Sequence, residues 1–574
     1  MVKKGYKIIG LIAVVLAIVI AVVAVIVIGG SDSKGGRSDS ENQKTDSLFG
    51  DKGNGSGNSD IEDCVKIYSA DDLFEFAEEV NSGKNPSANA ILMNDIDLED
   101  REWTPIGTED IYYNGTFNGN GYEISGINCS GVDYIGLFGI SYGVILDLSV
   151  SGTVSGDYFV GVVVGENHGT VKSCTNNGSA FGKGDLGGVV GFNCDTVEFC
   201  TNNGSVTCDA IEGLNNCNGG VVGNNQGTLK SCTNNGAVGG NGEFFGGVAG
   251  ININGTVVSC INNGSVSGSD YVAGVVSENW DGTVELCENK GSVSGDMLVG
   301  GVVGTNLEGT VKKCINSGNV EIIGFGAGVV ADNTGGTVES CENKGSVNSL
   351  GSAAGVVFRS DSIIKSCINS GSVCGQASDS TNCILGGVVG YINESTMEYC
   401  TNTGDVTMTG SGIGYVGGVA GENIFSTVKN CTNSGSVIGE YAVGGVVGES
   451  NEGIVESCIN DGSVSGTVSV GGIVGYNYEL CTVKNCTNRG SVSGVGQNIG
   501  GVVGYNNLSV VDSCSHSGSV TGDEYVGGVV GSNTESTVEM CKYDSGSADC
   551  GIGMCWDHDK TNCPNHGIVE VLYN

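Results

Sequence analysis

The residues best suited to metal or thiol chemistry lie at the C-terminal end of the chain. Cys550, Cys555, His558, Cys563 and His566 follow one another in the pattern C-x4-C-x2-H-x4-C-x2-H. These are ligand types that zinc prefers, although the first spacing is wider than in common zinc motifs. The alternative is a cap tied by disulfide bonds, because the last unit of a stacked fold must cover an open strand edge. The pattern favours the disulfide-tied cap and leaves zinc as the alternative.

Two further cysteine pairs lie in the longest copies of a repeat. Cys208 and Cys217 are nine residues apart, and so are Cys374 and Cys383. We predict that each pair forms a disulfide bond that closes a protruding loop, at 205–218 and 372–385. The alternative is two unpaired exposed thiols, which are reactive outside a cell. With the longer loop at 404–416, these loops are the expected contact sites, because loops on a rigid scaffold commonly carry recognition.

The sequence offers little support for catalysis. None of the four histidines lies in an H-E-x-x-H motif, which excludes that class of metallopeptidase. Acidic residues are scattered over turns, and no position combines His, Arg and carboxylate. We therefore expect a non-catalytic protein without a cofactor, although its acidic residues allow weak divalent-cation binding. A polysaccharide lyase or hydrolase is the enzymatic alternative, since hydrolysis needs only a pair of carboxylates at a defined separation.

The charge of the chain excludes one large class of partner. The formal net charge is −40, and only 24 of the 574 residues are Lys or Arg. Nucleic-acid binding requires clustered basic residues. We expect no nucleic-acid partner.

A sequence repeat makes up most of the chain. Its consensus is G-T-V-x-x-C-x-N-x-G-S-V-S-G-x-x-x-V-G-G-V-V-G-x-N, and most copies are 26–28 residues apart. A fixed period of this length indicates stacked units, and Gly and β-branched residues favour short strands over helices. With three strand candidates per copy, the prediction is an all-β, right-handed parallel β-helix of about fourteen coils. The cysteine column consists of Cys174, Cys200, Cys232, Cys260, Cys287, Cys314, Cys341, Cys367, Cys400, Cys431, Cys458, Cys486, Cys514 and Cys541.

Asparagine follows two residues after this cysteine in 12 of the 14 copies. Stacked coils place equal positions one above another, so the asparagine amides are expected to form a ladder of hydrogen bonds. The first members of this column are Asn176, Asn202, Asn234 and Asn262. The cysteine column is expected to point into the core, because an earlier, degenerate copy has Leu148 there. Disulfide bonds between neighbouring coils are the alternative.

Four tyrosines recur just before the V-G-G piece: Tyr158, Tyr271, Tyr441 and Tyr525. They either form a partly buried column of the core, which we favour, or lie on the surface, where aromatic rings can stack on sugars.

The segments outside the repeat define the rest of the domain plan. Residues 1–30 comprise a short basic tail and an apolar run, Ile8 to Ile28, long enough for a membrane anchor. The preceding lysines place the N-terminus in the cytoplasm and the bulk of the chain outside the cell. Cleavage of the run as a signal peptide, giving a secreted protein, is the alternative. A flexible linker is predicted at 31–61, a cap with a short helix at 62–135, coils at 136–546 and a Cys-rich cap at 547–574.

The repeat resembles the GLUG motif. The resemblance rests on GGVVG at 187–191, 300–304 and 527–531, GGIVG at 471–475 and GLFG at 136–139, with lead-in residues V-S-G-x-x-x-V and a following x-N. It extends over residues 65–546. The lead-in to the coils, including GTFNGNGYEISGI at 115–127, is similar to that of IgA-specific metallopeptidases, which carry this motif before the protease domain. The resemblance implies an exported β-helix of an adhesin-like surface protein.

The expected function is therefore display and binding at the cell surface. The expected partners are a glycan or a protein outside the cell, and the membrane through the N-terminal segment. A carbohydrate-active enzyme and a passive stalk or coat component remain the alternatives.

Overall fold

The computed structural model describes residues 64–209, 216–377, 382–544, 546–556 and 570–572. The predicted anchor at 8–28 and linker at 31–61 lie outside these residues. Among the residues described, no helix has the length and hydropathy needed to cross a bilayer. The compact unit spans residues 60–574.

A short helix covers the N-terminal end of the fold, as the sequence predicts. Helix α1 spans Ala70–Asn81 and begins at the N-cap Ser69, whose hydroxyl accepts a hydrogen bond from the Asp72 N–H. The Asp72 carboxylate accepts the N–H of Ser69 in return, so a capping box fixes the first turn. The buried face includes Phe76, whose ring packs against Phe117. The helix thereby closes the open end of the core.

One coil shows how the repeat folds. In residues 427–451 the strands are Thr427–Lys429, Thr432–Asn433, Val437–Ile438, Tyr441–Gly444 and Val447–Asn451. This is more than the three strands predicted, because the chain turns a corner inside the V-G-G-V-V-G piece and another before C-x-N, whose x-N forms a short strand of its own. Every one of these strands pairs in parallel with its equivalent in the next coil.

The strands form three parallel sheets, which we call A, B and C. Sheet A contains the T-V-x strands. Its 18 strands are Val65–Ile67, Ala90–Leu92, Thr116–Asn118, Val144–Leu146, Thr170–Lys172, Thr196–Glu198, Thr228–Lys230, Thr256–Val258, Thr283–Glu285, Thr310–Lys312, Thr337–Glu339, Ile364–Lys365, Thr396–Glu398, Thr427–Lys429, Ile454–Glu456, Thr482–Lys484, Val510–Asp512 and Thr537–Glu539.

Sheet B has 44 strands in three columns. The first column follows the cysteine: Ile96–Asp97, Glu123–Ser130, Ser149–Ser155, Thr175–Asn176, Thr201–Asn202, Thr233–Asn234, Ile261–Asn262, Glu288–Asn289, Ile315–Asn316, Glu342–Asn343, Ile368–Asn369, Thr401–Asn402, Thr432–Asn433, Ile459–Asn460, Thr487–Asn488, Ser515–His516, Lys542–Asp544 and Glu570–Leu572. The second column is Ser179–Gly182, Val206–Cys208, Val238–Gly240, Val266–Ser267, Val293–Gly300, Val320–Ala327, Val347–Ser349, Val373–Gln376, Val406–Thr409, Val437–Ile438, Val464–Gly466, Val492–Gly494 and Val520–Thr521. The third is Asp133–Ile135, Tyr158–Gly161, Gly184–Gly187, Asn218–Gly219, Phe245–Gly246, Asp270–Ala273, Ser352–Ala354, Cys383–Gly386, Gly414–Gly417, Tyr441–Gly444, Val468–Gly471, Gln497–Gly500 and Glu524–Gly527.

Sheet C contains the strands that begin after the corner inside V-G-G-V-V-G and run into G-x-N. Its 16 strands are Phe138–Ser141, Val164–Asn167, Val190–Asn193, Val222–Asn225, Ala249–Ile253, Val276–Trp280, Val303–Leu307, Val330–Thr334, Val357–Ser360, Val389–Asn393, Ala420–Ile424, Val447–Asn451, Val474–Tyr478, Val503–Asn507, Val530–Thr534 and Ile552–Trp556.

The solenoid has about 17 turns, not the fourteen predicted. The additional turns lack the cysteine by which the coils were counted. Leu148 occupies the cysteine position of one early turn and is buried. Turns formed by the segment at 62–135, which was assigned to the cap, pair directly with the coils that follow.

Candidate ligand-binding strip

The asparagine and cysteine columns form the scaffold. Asn176 donates from Nδ2 to Oδ1 of Asn202 at 2.6 Å, and the equivalent bonds continue at 2.7–2.8 Å to Asn488. The cysteines of the column, from Cys174 to Cys541, are at most 1% exposed and are free thiols. Each thiol donates a hydrogen bond to the carbonyl two residues earlier, as Cys174 does to Lys172 at 3.3 Å. The alternative of disulfide bonds between coils is not realised.

Neither predicted loop disulfide is present in the structure. Cys374 is half-buried on the outer face of its strand, whereas Cys383 is 1% exposed and donates to the carbonyl of Gly351 at 3.0 Å. The two side chains lie on opposite faces of sheet B. Cys208 and Cys217 are not joined by a disulfide, and the Cys217 thiol is hydrogen-bonded to Asp185. The tips of the two loops, 210–215 and 378–381, lie outside the described residues.

The C-terminal cysteines have different states. Cys550 is an exposed thiol, and Cys555 is disulfide-bonded. His558, Cys563 and His566 lie outside the described residues, so the zinc alternative remains a prediction. Within the described ranges, no three His, Cys, Asp or Glu side chains converge as a metal site would require.

The side chains with unusual chemistry lie elsewhere, on the outer face of sheet C. A second asparagine ladder lies on sheet C, where Asn167 donates from Nδ2 to Oδ1 of Asn193 at 2.8 Å and equivalent bonds continue to Asn333. In each strand the residue before this ladder position points outward, because successive side chains alternate between faces. Ser450, for example, is fully buried, whereas Glu449 beside it is half-buried on the outside. The outward column includes Glu166, Phe192, Asn224, Ile251, Glu278, Thr305, Asp332, Arg359, Tyr391, Glu422, Glu449, Tyr476, Tyr505 and Ser532.

A glycine brings this column against sheet B. A Cβ atom on Gly448 would lie 2.6 Å from the backbone nitrogen of Val416 in the preceding coil, so only glycine allows this approach. The close contact places Glu449 against Tyr415, and the two side chains are hydrogen-bonded. The outer face of sheet C and the tyrosines of sheet B therefore form one continuous surface.

Six half-buried side chains of this surface form what we call the acid–tyrosine strip. They are Tyr415, Glu422, Tyr441, Glu449, Tyr476 and Tyr505. Glu422 and Glu449 are register partners on adjacent strands. Tyr476 and Tyr505 are also register partners, and their rings stack with centroids 5.1 Å apart. Tyr441 lies 6.2 Å from Tyr476, so three tyrosine rings follow one another across consecutive coils.

Burial weakens the acidity of both carboxyl groups of the strip. It raises the pKa of Glu422 to about 7, and the nearby charge of Glu449 contributes to the rise. Burial also raises the pKa of Glu449, although the hydrogen bond from Tyr415 opposes this effect. Neither carboxylate forms an ion pair with any residue that the structure describes. Strongly perturbed, uncompensated carboxyl groups mark candidate functional sites.

The sequence analysis identified only part of this strip. Tyr441 was one of the four tyrosines noted. These four occupy two successive register positions of sheet B and not one: Tyr158 aligns with Tyr441, and Tyr271 aligns with Tyr525. The carboxylates occupy position x of the G-x-N that ends the repeat. The residue at this position differs from copy to copy, and this variation is the sequence signal that could have identified them.

The fold defines the described unit as a parallel β-solenoid. It carries the GLUG motif, whose family model matches residues 412–438 and 466–493. The acid–tyrosine strip lies on these two matches and the coils beside them.

Two proteins show further similarity. A protein of Evansella cellulosilytica, provisionally named a Gly-rich membrane protein, is 40% identical over 91 residues. The alignment covers 13% of this chain and 10% of that protein, so the chain matches only a small part of its relative. A crystal structure from Bacteroides ovatus, provisionally named an immunoglobulin A1 protease, covers 56% of this chain and 83% of its own at 16% identity. Its TM-score is 0.23, which supports no inference.

Proposed function

We propose that the chain is a non-catalytic, adhesin-like surface protein that binds ligands outside the cell along its solenoid. The observation that carries this proposal is the acid–tyrosine strip. Aromatic side chains supply broad contact area, and polar groups between them fix the orientation of a ligand. The apolar segment at 8–28 supports attachment to the membrane, and the relative from Evansella cellulosilytica is consistent with a surface location.

The strip replaces the loops as the first candidate for contact. The loop at 404–416 is described, and its outer part carries Ile413, which is 54% exposed. Tyr415, in the same loop, belongs to the strip, so this loop contributes to the proposed site. The tips of the other two loops lie outside the described residues and remain candidates from the sequence alone.

Binding to immobilised polysaccharides and surface glycoproteins tests the proposal. Residues 60–574 form the compact unit and are the protein to use. We expect retention on at least one ligand and its loss in the variant Tyr441→Ala/Tyr476→Ala/Tyr505→Ala. The control is Tyr399→Ala, which removes an exposed tyrosine at the corner after sheet A. Retention that survives the triple variant would move the site away from the strip, and no retention on any ligand would favour a passive stalk.

A carbohydrate-active enzyme is the second candidate because of one observation. Glu422 and Glu449 are register partners on adjacent strands, whose backbones lie about 4.8 Å apart, and this arrangement lets their carboxyl groups reach the separation of about 5 Å found in retaining glycosidases. The raised pKa of Glu422 suits a general acid. Newly released reducing ends, measured in the same tubes as retention, would establish this second function and reject the first.

A further inference from the structure

Two features combine at Glu422 and Glu449: they are register partners on adjacent strands, and neither has a cationic partner among the residues that the structure describes. In the same column, Asp332 is paired with the guanidinium of Arg359 on the next strand. On sheet A, Glu398 is paired with both Lys365 and Lys429. At both of these positions a basic residue one coil away neutralises the acid. At Glu422 and Glu449 the adjacent positions of the column are Tyr391 and Tyr476 instead.

A positive charge supplied by a ligand would compensate this pair. Two half-buried carboxylates on adjacent strands repel each other, and a cation between them removes that repulsion. The chain as a whole has a formal net charge of −40, which attracts cations and repels anionic polymers. The strip therefore selects against acidic polysaccharides.

A metal ion fits this pair poorly. Calcium takes about 6–8 oxygen ligands and magnesium about six, most of them from carboxylates, carbonyls and water. The strip offers two carboxylates, and its other members are tyrosines. The described part of the chain brings no third acidic or imidazole group to them.

The tyrosines indicate the shape of the ligand. Three rings from Tyr441 to Tyr505 follow one another with the repeat of the coils, about 4.8 Å per strand. A pyranose ring is similar in length, so a stiff sugar chain lying across the strands would present one ring per coil. Because the rings of Tyr476 and Tyr505 stack on each other, they present their edges and hydroxyl groups to a ligand, and a tyrosine hydroxyl can hydrogen-bond to a sugar.

From these features we infer that the acid–tyrosine strip binds a cationic amino-sugar polymer, with its ammonium groups at Glu422 and Glu449 and its sugar rings along the exposed edges of the tyrosines. This inference rests on the proposed function and names the ligand class of the same site. Binding of an ammonium group ionises a carboxyl group that burial keeps partly protonated near pH 7. Binding is therefore accompanied by proton release and is weakened by added salt.

Calorimetric titration with two matched oligosaccharides tests the inference. A glucosamine hexamer carries ammonium groups, and an N-acetylglucosamine hexamer has the same rings without them. We expect residues 60–574 to bind the glucosamine hexamer at least tenfold more tightly, which corresponds to about 1.4 kcal/mol. Titrations in two buffers of different ionisation enthalpy measure the proton released.

Variants assign the effect to the strip. Glu422→Gln/Glu449→Gln keeps the size of both side chains and should reduce glucosamine binding at least tenfold, with little change for the acetylated hexamer. Glu285→Gln, on sheet A, is the matched control and should bind as the parent does. Circular dichroism confirms that the variants keep the fold.

Each other outcome overturns the inference in a recognisable way. Equal binding of both hexamers would make the strip a site for neutral glycans and leave the proposed function standing. A lysine hexapeptide that binds as tightly as the glucosamine hexamer would indicate a cationic peptide ligand. If neither hexamer binds while another ligand still binds through the strip, the amino-sugar ligand is rejected and the proposed function stands. Failure of every ligand rejects the proposed function as well.

Discussion

Cys481 Sγ lies 3.5 Å from the Oγ of Ser450, where two departures from the repeat meet. Other coils commonly have asparagine at the position of Ser450 and glycine at that of Cys481. In such a coil, a Cβ on Gly282 would come 2.2 Å from Nδ2 of Asn252 in the preceding coil. The smaller Ser450 therefore leaves room for the Cys481 side chain. The pair interrupts the second ladder, because Ser450 has no amide to donate and Oδ1 of Asn477 stays buried without a partner.

Restoring both residues should repair this ladder. We predict that Ser450→Asn alone destabilises the protein, because the new amide meets the Cys481 side chain. Combined with Cys481→Gly, it should instead stabilise by about 1 kcal/mol, the net value of a hydrogen bond to a buried polar atom. The double-mutant cycle should show a favourable coupling of about 1 kcal/mol or more, measured by urea unfolding. If the effects of the two substitutions on the free energy of unfolding were additive, Ser450 and Cys481 would not compensate for each other.

The first ladder ends at a histidine. Asn488 donates from Nδ2 to Nδ1 of His516 at 2.9 Å, which requires a neutral ring, and Nε2 of His516 is buried without a partner. Burial lowers the pKa of His516 to about 4, from 6.5 for an unperturbed imidazole. The unfolded chain thus takes up the proton more readily than the folded chain. Stability should fall as the pH falls from about 6.5 to 4 and should be unaffected by this group above 6.5.

The variant His516→Asn tests this relationship. It extends the ladder by one residue and removes the titrating group, so we expect the C-terminal coils to gain about 1 kcal/mol or more at pH 7 and a larger amount at pH 4.5. Hydrogen exchange of amides in the coils at 487–544 reports this local stability. An acid dependence identical in parent and variant would show that His516 does not control it.

The period and the inward columns could be predicted from the sequence because stacking repeats each contact. Once the copies are aligned, Asn176 must lie beside Asn202 and Cys174 beside Cys200, whatever the details of the turns. The strip could not be predicted in the same way. Tyr415 and Glu449 lie 34 residues apart on two different sheets, and their contact depends on the close approach at Gly448. Their positions also vary between copies, so a consensus removes them.

Glycine at the corner between sheets B and C should be essential. A Cβ on Gly445 would lie 2.2 Å from the carbonyl oxygen of Gly472 and 2.4 Å from Cγ of Asn460 in the ladder. Neither neighbour can move without breaking the stack. We predict that Gly445→Ala destabilises by about 3 kcal/mol or more, as overpacking of rigid interiors does. Gly546→Ala, where nothing lies within 4 Å, is the control for thermal unfolding and should stay near the parent midpoint. Equal midpoints for both variants would contradict the tight corner.

Glu278 should make stability fall with rising pH. It lies between Ile251 and Thr305 in the outward column of sheet C, and burial raises its pKa to about 7 from 4.5. The folded chain therefore holds this proton more tightly than the unfolded chain. The resulting cost begins as the pH rises above about 4.5 and is complete above about 7. Glu278→Gln mimics the protonated form, so we expect it to stabilise by roughly 1–3 kcal/mol at pH 8 and to have little effect at pH 4. Urea unfolding at both pH values measures the difference, with the exposed Glu524→Gln as control. A gain of the same size at both pH values would assign it to packing and not to ionisation.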